Sequence, residues 1–166
     1  MNVNIALLTV TDTRTLDTDK SGNILEKKIK KAKHKLIDRK ICKDSKKEIK
    51  KIIKKWLNKK KVDVIITTGG TGLTGRDITP EALNEVADKH IPGFGEVFRT
   101  LSLKTVGTSS IQSRACAVLA NGKYIFALPG SSGGVTDAWD KILIHQLDVN
   151  HKPCNFVELF PRLKEK

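Results

Sequence analysis

The stretch that decides the fold is Thr67-Thr68-Gly69-Gly70-Thr71-Gly72-Leu73-Thr74-Gly75-Arg76-Asp77-Ile78-Thr79-Pro80-Glu81. A largely apolar run at positions 62–66 precedes it and predicts a buried parallel strand. Thr79 as the N-cap and Pro80 at the first helical position predict that a helix begins at its end. Between them lie four glycines within seven residues, which let the backbone adopt positive φ and approach a ligand closely. The order strand, glycine loop, helix is typical of an α/β protein.

The glycine loop has the features of an anion site. Its free backbone amides and the positive end of the following helix point toward one place, where a phosphate binds well. Asp77 in such a loop suggests a divalent metal between its carboxylate and the phosphates, most simply Mg²⁺. A plain turn is the alternative, but the density of Gly and Thr beside an acidic residue favours binding. The loop matches neither the P-loop nor the Rossmann pattern.

Length and composition describe one ordinary soluble domain. A chain of 166 residues can bury a full core, and its hydrophobic content of 39% is typical of globular proteins. No apolar run approaches the ~20 residues of a membrane span, and the first residues lack a basic and then apolar leader. The three cysteines, Cys42, Cys116 and Cys154, give no zinc spacing and fit a reducing compartment. We therefore expect a cytoplasmic protein with no membrane partner.

The net charge of +13 requires nucleic-acid binding to be considered. The charge is concentrated in two lysine-rich stretches, 27–35 and 46–61. An apolar stripe at helical spacing lies opposite the lysines of the second stretch and consists of Ile49, Ile52, Ile53, Trp56 and Leu57. A solvated helix face explains this pattern, and the lysine face carries no aromatic residue on which bases could stack. We therefore expect no nucleic-acid partner.

The order of the predicted elements indicates a single three-layer α/β/α domain spanning residues 1–166. Right-handed crossovers make the first three strands parallel. Asn121-Gly122 predicts a type I′ hairpin between strands at 115–120 and 123–128. Numbering the strands along the chain, we expect a mostly parallel five-stranded sheet in the order 2-1-3-5-4, with the 115–120 strand antiparallel at the edge. From about residue 148 we expect an irregular surface tail, which contains two prolines.

Helix starts and one apolar face add detail to this fold. Asp19 or Ser21 can cap the first helix, and Ser45 with Glu48 forms a capping box for the second. The helix that follows residue 91 carries four apolar residues on one face, which are either core or a subunit contact: Phe94, Val97, Phe98 and Leu101.

Polar residues follow the carboxyl end of each predicted parallel strand. They are Thr11-Asp12, Asp44, the glycine loop up to Asp77, and Gly130 to Ser132. In such a sheet these ends meet along one edge, where open α/β folds bind ligands. Carboxylates, hydroxyls and backbone amides gather there, but no histidine or cysteine does. The pattern indicates a site for phosphates and a metal, without covalent catalysis.

Several segments carry a family resemblance. Thr68-Gly69-Gly70-Thr71-Gly72, together with the segment from Arg76 to Ala82, resembles the signature of the MogA/MoaB family of molybdenum cofactor biosynthesis proteins. Segments similar to the MoaB branch are Gly93 to Arg99, Gly107 to Ser109, Gln112 to Ala115 and Lys152 to Phe156. The resemblance covers nearly the whole chain. Lys43 departs from the pattern, because relatives often have proline before the first aspartate.

The resemblance implies an activity. Family members bind molybdopterin, and many use Mg-ATP to adenylylate its terminal phosphate and release pyrophosphate. By resemblance, Asp44 and Asp77 are the catalytic residues and the Mg²⁺ ligands, and ATP and molybdopterin are the substrates. The expected substrate- and nucleotide-binding residues are Thr11, Asp12, Thr68, Gly69, Gly70, Thr71, Gly72, Thr79, Pro80, Glu96, Ser102, Gly130, Ser131 and Ser132.

The resemblance also implies partners. Relatives form homotrimers or homohexamers, and a molybdenum-insertion protein would use the adenylylated product. A non-catalytic molybdopterin-binding or scaffold protein of the same pathway is the alternative function, and a nucleic-acid-binding protein is a third. The presence of both Asp44 and Asp77 favours the adenylyltransferase, a nucleotidyltransferase, over the binding protein.

Overall fold

The computed structural model describes residues 1–165. Its strands are β1 (Asn4–Val10), β2 (Lys35–Cys42), β3 (Val64–Thr68), β4 (Lys89–His90), β5 (Cys116–Ala120) and β6 (Lys123–Leu128). Its helices are α1 (Lys20–Lys31), α2 (Lys46–Leu57), α3 (Thr79–Asn84), α4 (Pro92–Val106), α5 (Ser132–Ala138) and α6 (Ile144–Gln146). A π-helical turn, Trp139–Leu143, joins α5 to α6, and 3-10 turns span Gly107–Gln112 and Val157–Arg162. Across residues 1–165, no helix combines the length and the hydropathy needed to cross a bilayer.

The strands form one sheet in the order β2-β1-β3-β6-β5-β4. β1 pairs parallel with β2 and β3, β3 pairs parallel with β6, and β5 is antiparallel to β6 and β4. The mostly parallel α/β sheet with an antiparallel hairpin is confirmed, but the expected count of five strands, with 115–120 outermost, was wrong. The missed edge strand, β4, is two exposed residues long. It carries no hydrophobic pattern and exists only because the chain passes beside β5.

Helices cover both faces of the sheet. This is required because successive residues of β1 point to opposite faces and nearly all of them are buried. Ile5 and Leu7 face one core, which α1, α4 and α5 complete, whereas Ala6 and Leu8 face the other, which α2 and α3 complete. β3 and β6 are buried along their whole length, as expected of central parallel strands. The three-layer arrangement therefore brings the carboxyl ends of β1, β2, β3 and β6 to one edge.

Two local signals are confirmed. Asn121 and Gly122 have φ angles of 48° and 70°, as a type I′ turn between β5 and β6 requires. Asp19 caps α1, because its carboxylate accepts a hydrogen bond from the Gly22 amide at 2.9 Å.

Two predicted helix caps differ from the structure. Ser45 caps α2, but only half of the capping box forms, since the Glu48 carboxylate accepts from the amide of Lys43 at 3.4 Å. α3 begins at Thr79, with Ile78 as the cap residue and no side-chain cap bond. Thr79 was therefore wrongly predicted as the N-cap, because its hydroxyl has another acceptor within the glycine loop.

The apolar face predicted on α4 divides between two environments. Phe94 and Phe98 are 4% and 3% exposed and pack in the core of the chain itself, against Phe126 among others. Leu101 is half-buried against the same core, whereas Val97 is 49% exposed. The aromatic residues therefore fill the domain, and Val97 is the member of this face that a subunit contact could cover.

The segment from residue 148 onward packs more closely than expected of a surface tail. Val157 is 2% exposed, and the Phe156 and Phe160 rings lie 4.6 and 5.7 Å from the Tyr124 ring, measured between centroids. These rings cover β6 on the α1 side of the sheet. The aromatic pair at i, i+4 is too short a pattern to be read as an element in a stretch that holds two prolines.

Candidate functional site

Two adjoining clefts lie at the edge of the sheet where the parallel strands end. The acidic cleft, of about 520 Å³, is lined by three carboxylates, Asp12, Asp44 and Asp77, and by part of the glycine loop. The serine cleft, of about 860 Å³, is lined by Ser102, Ser109, Ser110, Ser113, Ser131 and Ser132. Four residues line both clefts, namely Gly70, Asp77, Gly130 and Ser131. The clefts therefore meet where the glycine loop approaches the loop after β6.

Asp12 and Asp44 come together from the ends of β1 and β2. A carboxylate oxygen of Asp12 accepts a hydrogen bond from the backbone amide of Asp44 at 3.1 Å. Partial burial of Asp44, together with the negative charges of Asp12 and Asp77, raises the pKa of its carboxyl. The ion pair of Arg76 with Asp12 is long, 3.8 Å, and exposed, so it offsets little of this charge. The acidic cleft therefore holds a surplus of negative charge.

Asp77 has a different environment from Asp44. Its Oδ2 accepts hydrogen bonds from the amide and the hydroxyl of Thr74, at 2.8 and 2.7 Å. Partial burial alone would raise the pKa of the Asp77 carboxyl, but these bonds and one from the Gly72 amide hold that pKa below its usual range. Asp77 is therefore ionised at neutral pH, and its bonds with Thr74 join two residues of the same loop.

The carboxylates of the acidic cleft could supply part of the coordination of Mg²⁺, and the phosphates of a bound ligand would supply the rest. Mg²⁺ is commonly held by one or two carboxylates together with substrate phosphates and water. Within residues 1–165, no group of three His, Cys, Asp or Glu side chains is arranged to hold a metal. A cation beside Asp44 would neutralise the negative charges that raise the pKa of its carboxyl. The donor set fits a metal that arrives with phosphates.

The glycine loop is pressed against β1 and α3. Gly69 has a φ of 99°, and a Cβ there would collide with the carbonyl oxygen of Val10. Gly70 has a φ of 68°, and a Cβ there would collide with the hydroxyl of Thr79. That hydroxyl donates to the Gly69 carbonyl at 2.9 Å, while the Thr79 amide donates to the Gly70 carbonyl at 3.0 Å. Only glycine satisfies both the φ and the space at these two positions.

The serine cleft is built from α4, from the 3-10 turn that follows it and from the start of α5. Ser131 caps α5, because its hydroxyl accepts from the Gly134 amide at 3.1 Å. Between α4 and α5, Thr105 donates its hydroxyl to the Asp137 carboxylate at 2.9 Å. Phe98 supplies an apolar wall. A cleft with hydroxyls around an apolar wall can hold a flat polar ligand, whereas the acidic cleft suits a metal with phosphates.

The sequence matches a known family over most of its length. Residues 6–149 match the family described as "Probable molybdopterin binding domain". The chain belongs to this family. Molybdenum cofactor biosynthesis protein B of Escherichia coli (strain K12) is 44% identical over 161 residues, which are 97% of this chain and 93% of that protein. Its namesake in Staphylococcus aureus (strain COL) is 45% identical over 149 residues, 88% of each chain.

Solved structures agree with this assignment. A crystal structure of a molybdenum cofactor biosynthesis protein B superposes with a TM-score of 0.90 at 38% identity, covering 100% of this chain and 98% of the other. The tungsten cofactor synthesizing protein MoaB from Pyrococcus furiosus superposes with a TM-score of 0.77 at 33% identity, covering 86% and 91%. The resemblance to the MogA/MoaB family and the fold that it implies are therefore confirmed.

In this molybdopterin-binding family member, most of the predicted site residues line the two clefts. Those that line the acidic cleft are Thr11, Asp12, Asp44, Thr68, Gly69, Gly70, Asp77, Gly130 and Ser131. Those that line the serine cleft include Thr71, Gly72, Ser102 and Ser132. The structure thus brings together the strand ends that the sequence predicted to meet.

Three predicted site residues do not line either cleft. Thr79 and Pro80 are buried in the first turn of α3, and Thr79 donates hydrogen bonds to the glycine loop. Glu96 lies in a separate groove with His90 and Arg99. It points away because two residues of helix turn the side chain by about 200° from the face that carries Phe98 and Ser102. The expected binding role of Glu96 therefore has no geometric support.

Two arginines with contacts to the site loops were missed. Arg14 lines the acidic cleft and donates to the Ser21 hydroxyl and the Gly130 carbonyl, both at 3.3 Å, which links the loop after β1 to the loop after β6. Arg114 lines the groove of Glu96 and not the clefts, and it donates to the Gly72 and Asp77 carbonyls of the glycine loop. A single arginine in a polar segment carries no pattern, so only the topology could have placed them.

A buried network that supports the acidic cleft was also missed. Asp19 is fully buried and accepts from the hydroxyls of Thr9 and Ser21, at 2.6 and 3.2 Å, and from Arg39 at 2.9 Å. Burial would raise the pKa of the Asp19 carboxyl, but the Thr9 hydroxyl, the Gly22 amide and Arg39 lower it. The sequence predicted Asp19 as a cap, and the longer-range partners follow from the pairing of β1 with β2.

Proposed function

We propose that this protein binds molybdopterin and adenylylates its terminal phosphate with Mg-ATP, releasing pyrophosphate. Its membership in a molybdenum cofactor biosynthesis family supports the pathway. The observation that carries the specific activity is that the acidic and serine clefts share Gly70, Asp77, Gly130 and Ser131. A nucleoside triphosphate in the acidic cleft and a pterin in the serine cleft would meet at these residues.

The reaction needs no general base from the protein. A terminal phosphate oxygen of molybdopterin, already an anion, attacks the α-phosphorus of ATP and forms a new P–O bond. The bond between that phosphorus and the oxygen bridging to the β-phosphate breaks, and pyrophosphate leaves with the electron pair. Such a step requires charge neutralisation and in-line positioning of the reactants. The absence of histidine and cysteine from the linings of the two clefts agrees with this requirement.

The residues of the two clefts have different proposed roles, which follow from their environments. When bound, Mg²⁺ supplies charge neutralisation at the phosphates. Asp44 and Asp77 would hold it, and Arg14 would place a further positive charge at the phosphates. The amides of the glycine loop orient the phosphates, and Ser131 and Ser132 hold the pterin side. We also propose that the protein forms a homotrimer or homohexamer. A metal-insertion protein would receive the adenylylated product.

Binding without turnover is the second candidate, and one observation favours it. The amide and the hydroxyl of Thr74 both donate to Oδ2 of Asp77, so one oxygen of this carboxylate is already hydrogen-bonded within the loop. If the other oxygen does not reach a metal, the protein would hold molybdopterin or its adenylylated form without consuming ATP.

One experiment separates the two candidates. The protein is incubated with molybdopterin and Mg-ATP while pyrophosphate release is followed, and molybdopterin binding is titrated in parallel. The adenylyltransferase proposal expects pyrophosphate in proportion to molybdopterin and none when either Mg²⁺ or molybdopterin is left out. Tight molybdopterin binding with no pyrophosphate would reject catalysis and favour the binding protein.

A further inference from the structure

Arg114 contacts both ends of the glycine loop. Its Nε donates to the Gly72 carbonyl at 2.7 Å, and its Nη2 donates to the Asp77 carbonyl at 2.6 Å. Its backbone amide donates to the Thr71 carbonyl at 2.9 Å, and its Nη1 pairs with Glu81 in the first turn of α3. One guanidinium group therefore joins the beginning of the loop, its end and the helix that follows it.

The rest of the loop is weakly tied to the domain. Residues 73–76 are exposed. The hydrogen bonds between Thr74 and Asp77 are internal, so they fix the local shape of the loop but not its position over the sheet. The pair of Arg76 with Asp12 is long and exposed. Ile78 and Thr79 anchor the chain just after the loop, and Arg114 is the side chain that bonds the Asp77 carbonyl itself.

We propose that Arg114 is a positioning residue that sets the place of the Asp77 carboxylate opposite Asp44. It acts on Asp77 through the backbone carbonyl, which a planar group with five fixed donors can hold together with Gly72 and Glu81. A lysine has a single ammonium on a flexible stem, so it cannot reproduce the three contacts. The catalytic consequence of this placement rests on the proposed adenylyl transfer.

The first test needs no ligand. Amide hydrogen exchange is measured by NMR at Thr74 and Asp77, whose amides bond within the loop, because Arg114 bonds the carbonyls of Gly72 and Asp77 and so holds together the two ends of the turn that these bonds close. In Arg114→Gln and Arg114→Lys we expect exchange at these two amides to be at least ~10-fold faster than in the wild type, while amides of β1 and β3 keep their protection. Arg114→Lys keeps the charge and the stem, and it tests the placement if the glutamine variant is poorly folded.

Arg99→Gln is the matched control for the exchange measurement. Arg99 is also half-buried and donates to two carbonyls of the same segment, those of Ser113 and Ala115 at 3.3 and 3.1 Å, without contacting the glycine loop. Its loss lowers stability in a similar way, but we expect it to leave the exchange at Thr74 and Asp77 unchanged. Unchanged exchange in both Arg114 variants, or an equal increase in Arg99→Gln, would overturn the proposal.

The second test separates positioning from binding. Misplacing a group by about 1 Å can cost ~100-fold in rate, so we expect kcat for pyrophosphate release to fall ~100-fold in Arg114→Lys while the molybdopterin Kd changes less than threefold. A loss of molybdopterin binding equal to the loss of kcat would reject the role. If the wild type releases no pyrophosphate, the proposed reaction fails, and the exchange measurement still decides whether Arg114 places the loop.

Discussion

A carboxylate oxygen of Asp12 lies 3.1 Å from the backbone nitrogen of Asp44, so the hydrogen bond that joins the ends of β1 and β2 also brings two carboxylates together. Partial burial and the charges of Asp12 and Asp77 raise the pKa of the Asp44 carboxyl. A folded-state pKa above the unfolded value means that stability is lost as the pH rises through it. The domain therefore keeps an unfavourable charge arrangement at neutral pH, as functional sites often do.

We predict that Asp44→Asn raises the stability of the free protein at pH 7. The change removes one charge of the cluster, and after allowing for solvent screening the gain is on the order of 0.5 kcal/mol, or ~1–2 °C in Tm. The gain should shrink as the pH falls through the raised pKa of Asp44 and be absent below about 4, where Asp44 is protonated in the folded and the unfolded wild type alike. Thermal unfolding from pH 3 to pH 8 measures this. Asp17→Asn, at an exposed position before α1, is the control. A lower Tm for Asp44→Asn at pH 7 would contradict the prediction.

Gly70→Ala should destabilise the protein by about 1–3 kcal/mol, because alanine at positive φ is strained and its Cβ would collide with the Thr79 hydroxyl. Gly75→Ala is the matched control within the same loop, since nothing lies within 4 Å of a Cβ built there. We expect a change of less than ~0.5 kcal/mol for the control. Urea unfolding measures both, and equal midpoints for the two variants would show that the loop is not pressed against α3.

The lysines of α2 should be dispensable for the function. Lys46 and Lys50 pair with Glu85, while Lys47, Lys51, Lys54 and Lys55 are exposed on the face opposite Ile49 and Ile53. We predict that replacing these four exposed lysines with Gln leaves molybdopterin binding and pyrophosphate release within twofold, and stability within ~0.5 kcal/mol. A large loss of molybdopterin binding would contradict the assignment of these lysines to a solvated face.

Two variants of α4 separate core packing from association. Phe98→Ala should cost about 3–5 kcal/mol in any oligomeric state, because Phe98 fills the core of the chain itself. Val97→Ser, at a half-exposed position of the same helix, should leave the monomer stable but weaken association. Sedimentation velocity at micromolar concentration measures this. A wild-type chain that stays monomeric would reject the predicted subunit contact.

Strong local patterns allowed most of the fold to be predicted. Apolar runs at β1, β3 and β6, the stripe on α2 and the Asn121-Gly122 turn each have a physical cause within a few neighbouring residues. The order of these elements then determined the sheet edge at which the site lies. The strand β4 and the packing of Phe156 and Phe160 depend instead on long-range contacts, so no local pattern predicts them.

In the candidate site, too, some residues were predictable from the sequence and others depend on long-range contacts. Asp44 and Asp77 follow strand ends, so the topology alone places them together. Glu96 lies outside both clefts, which the sequence did not indicate, because a motif does not tell which helix face points to the cleft. Arg114 was missed because its guanidinium contacts two loop carbonyls and one residue of α3 that are 33 to 42 positions away in the sequence. Side chains that act through distant backbone carbonyls become visible only in the structure.

The most direct test is pyrophosphate release by Asp77→Asn, beside a molybdopterin titration. Asparagine keeps the size and can accept from Thr74, but it removes the charge. Thr74→Ala, which removes one hydrogen bond to Asp77 and keeps the charge, is the control for loop shape. We predict that adenylyl transfer falls by ~10²–10³-fold in Asp77→Asn while molybdopterin binding and the fold are retained. Near-normal turnover in Asp77→Asn would remove Asp77 from catalysis and contradict the proposed mechanism.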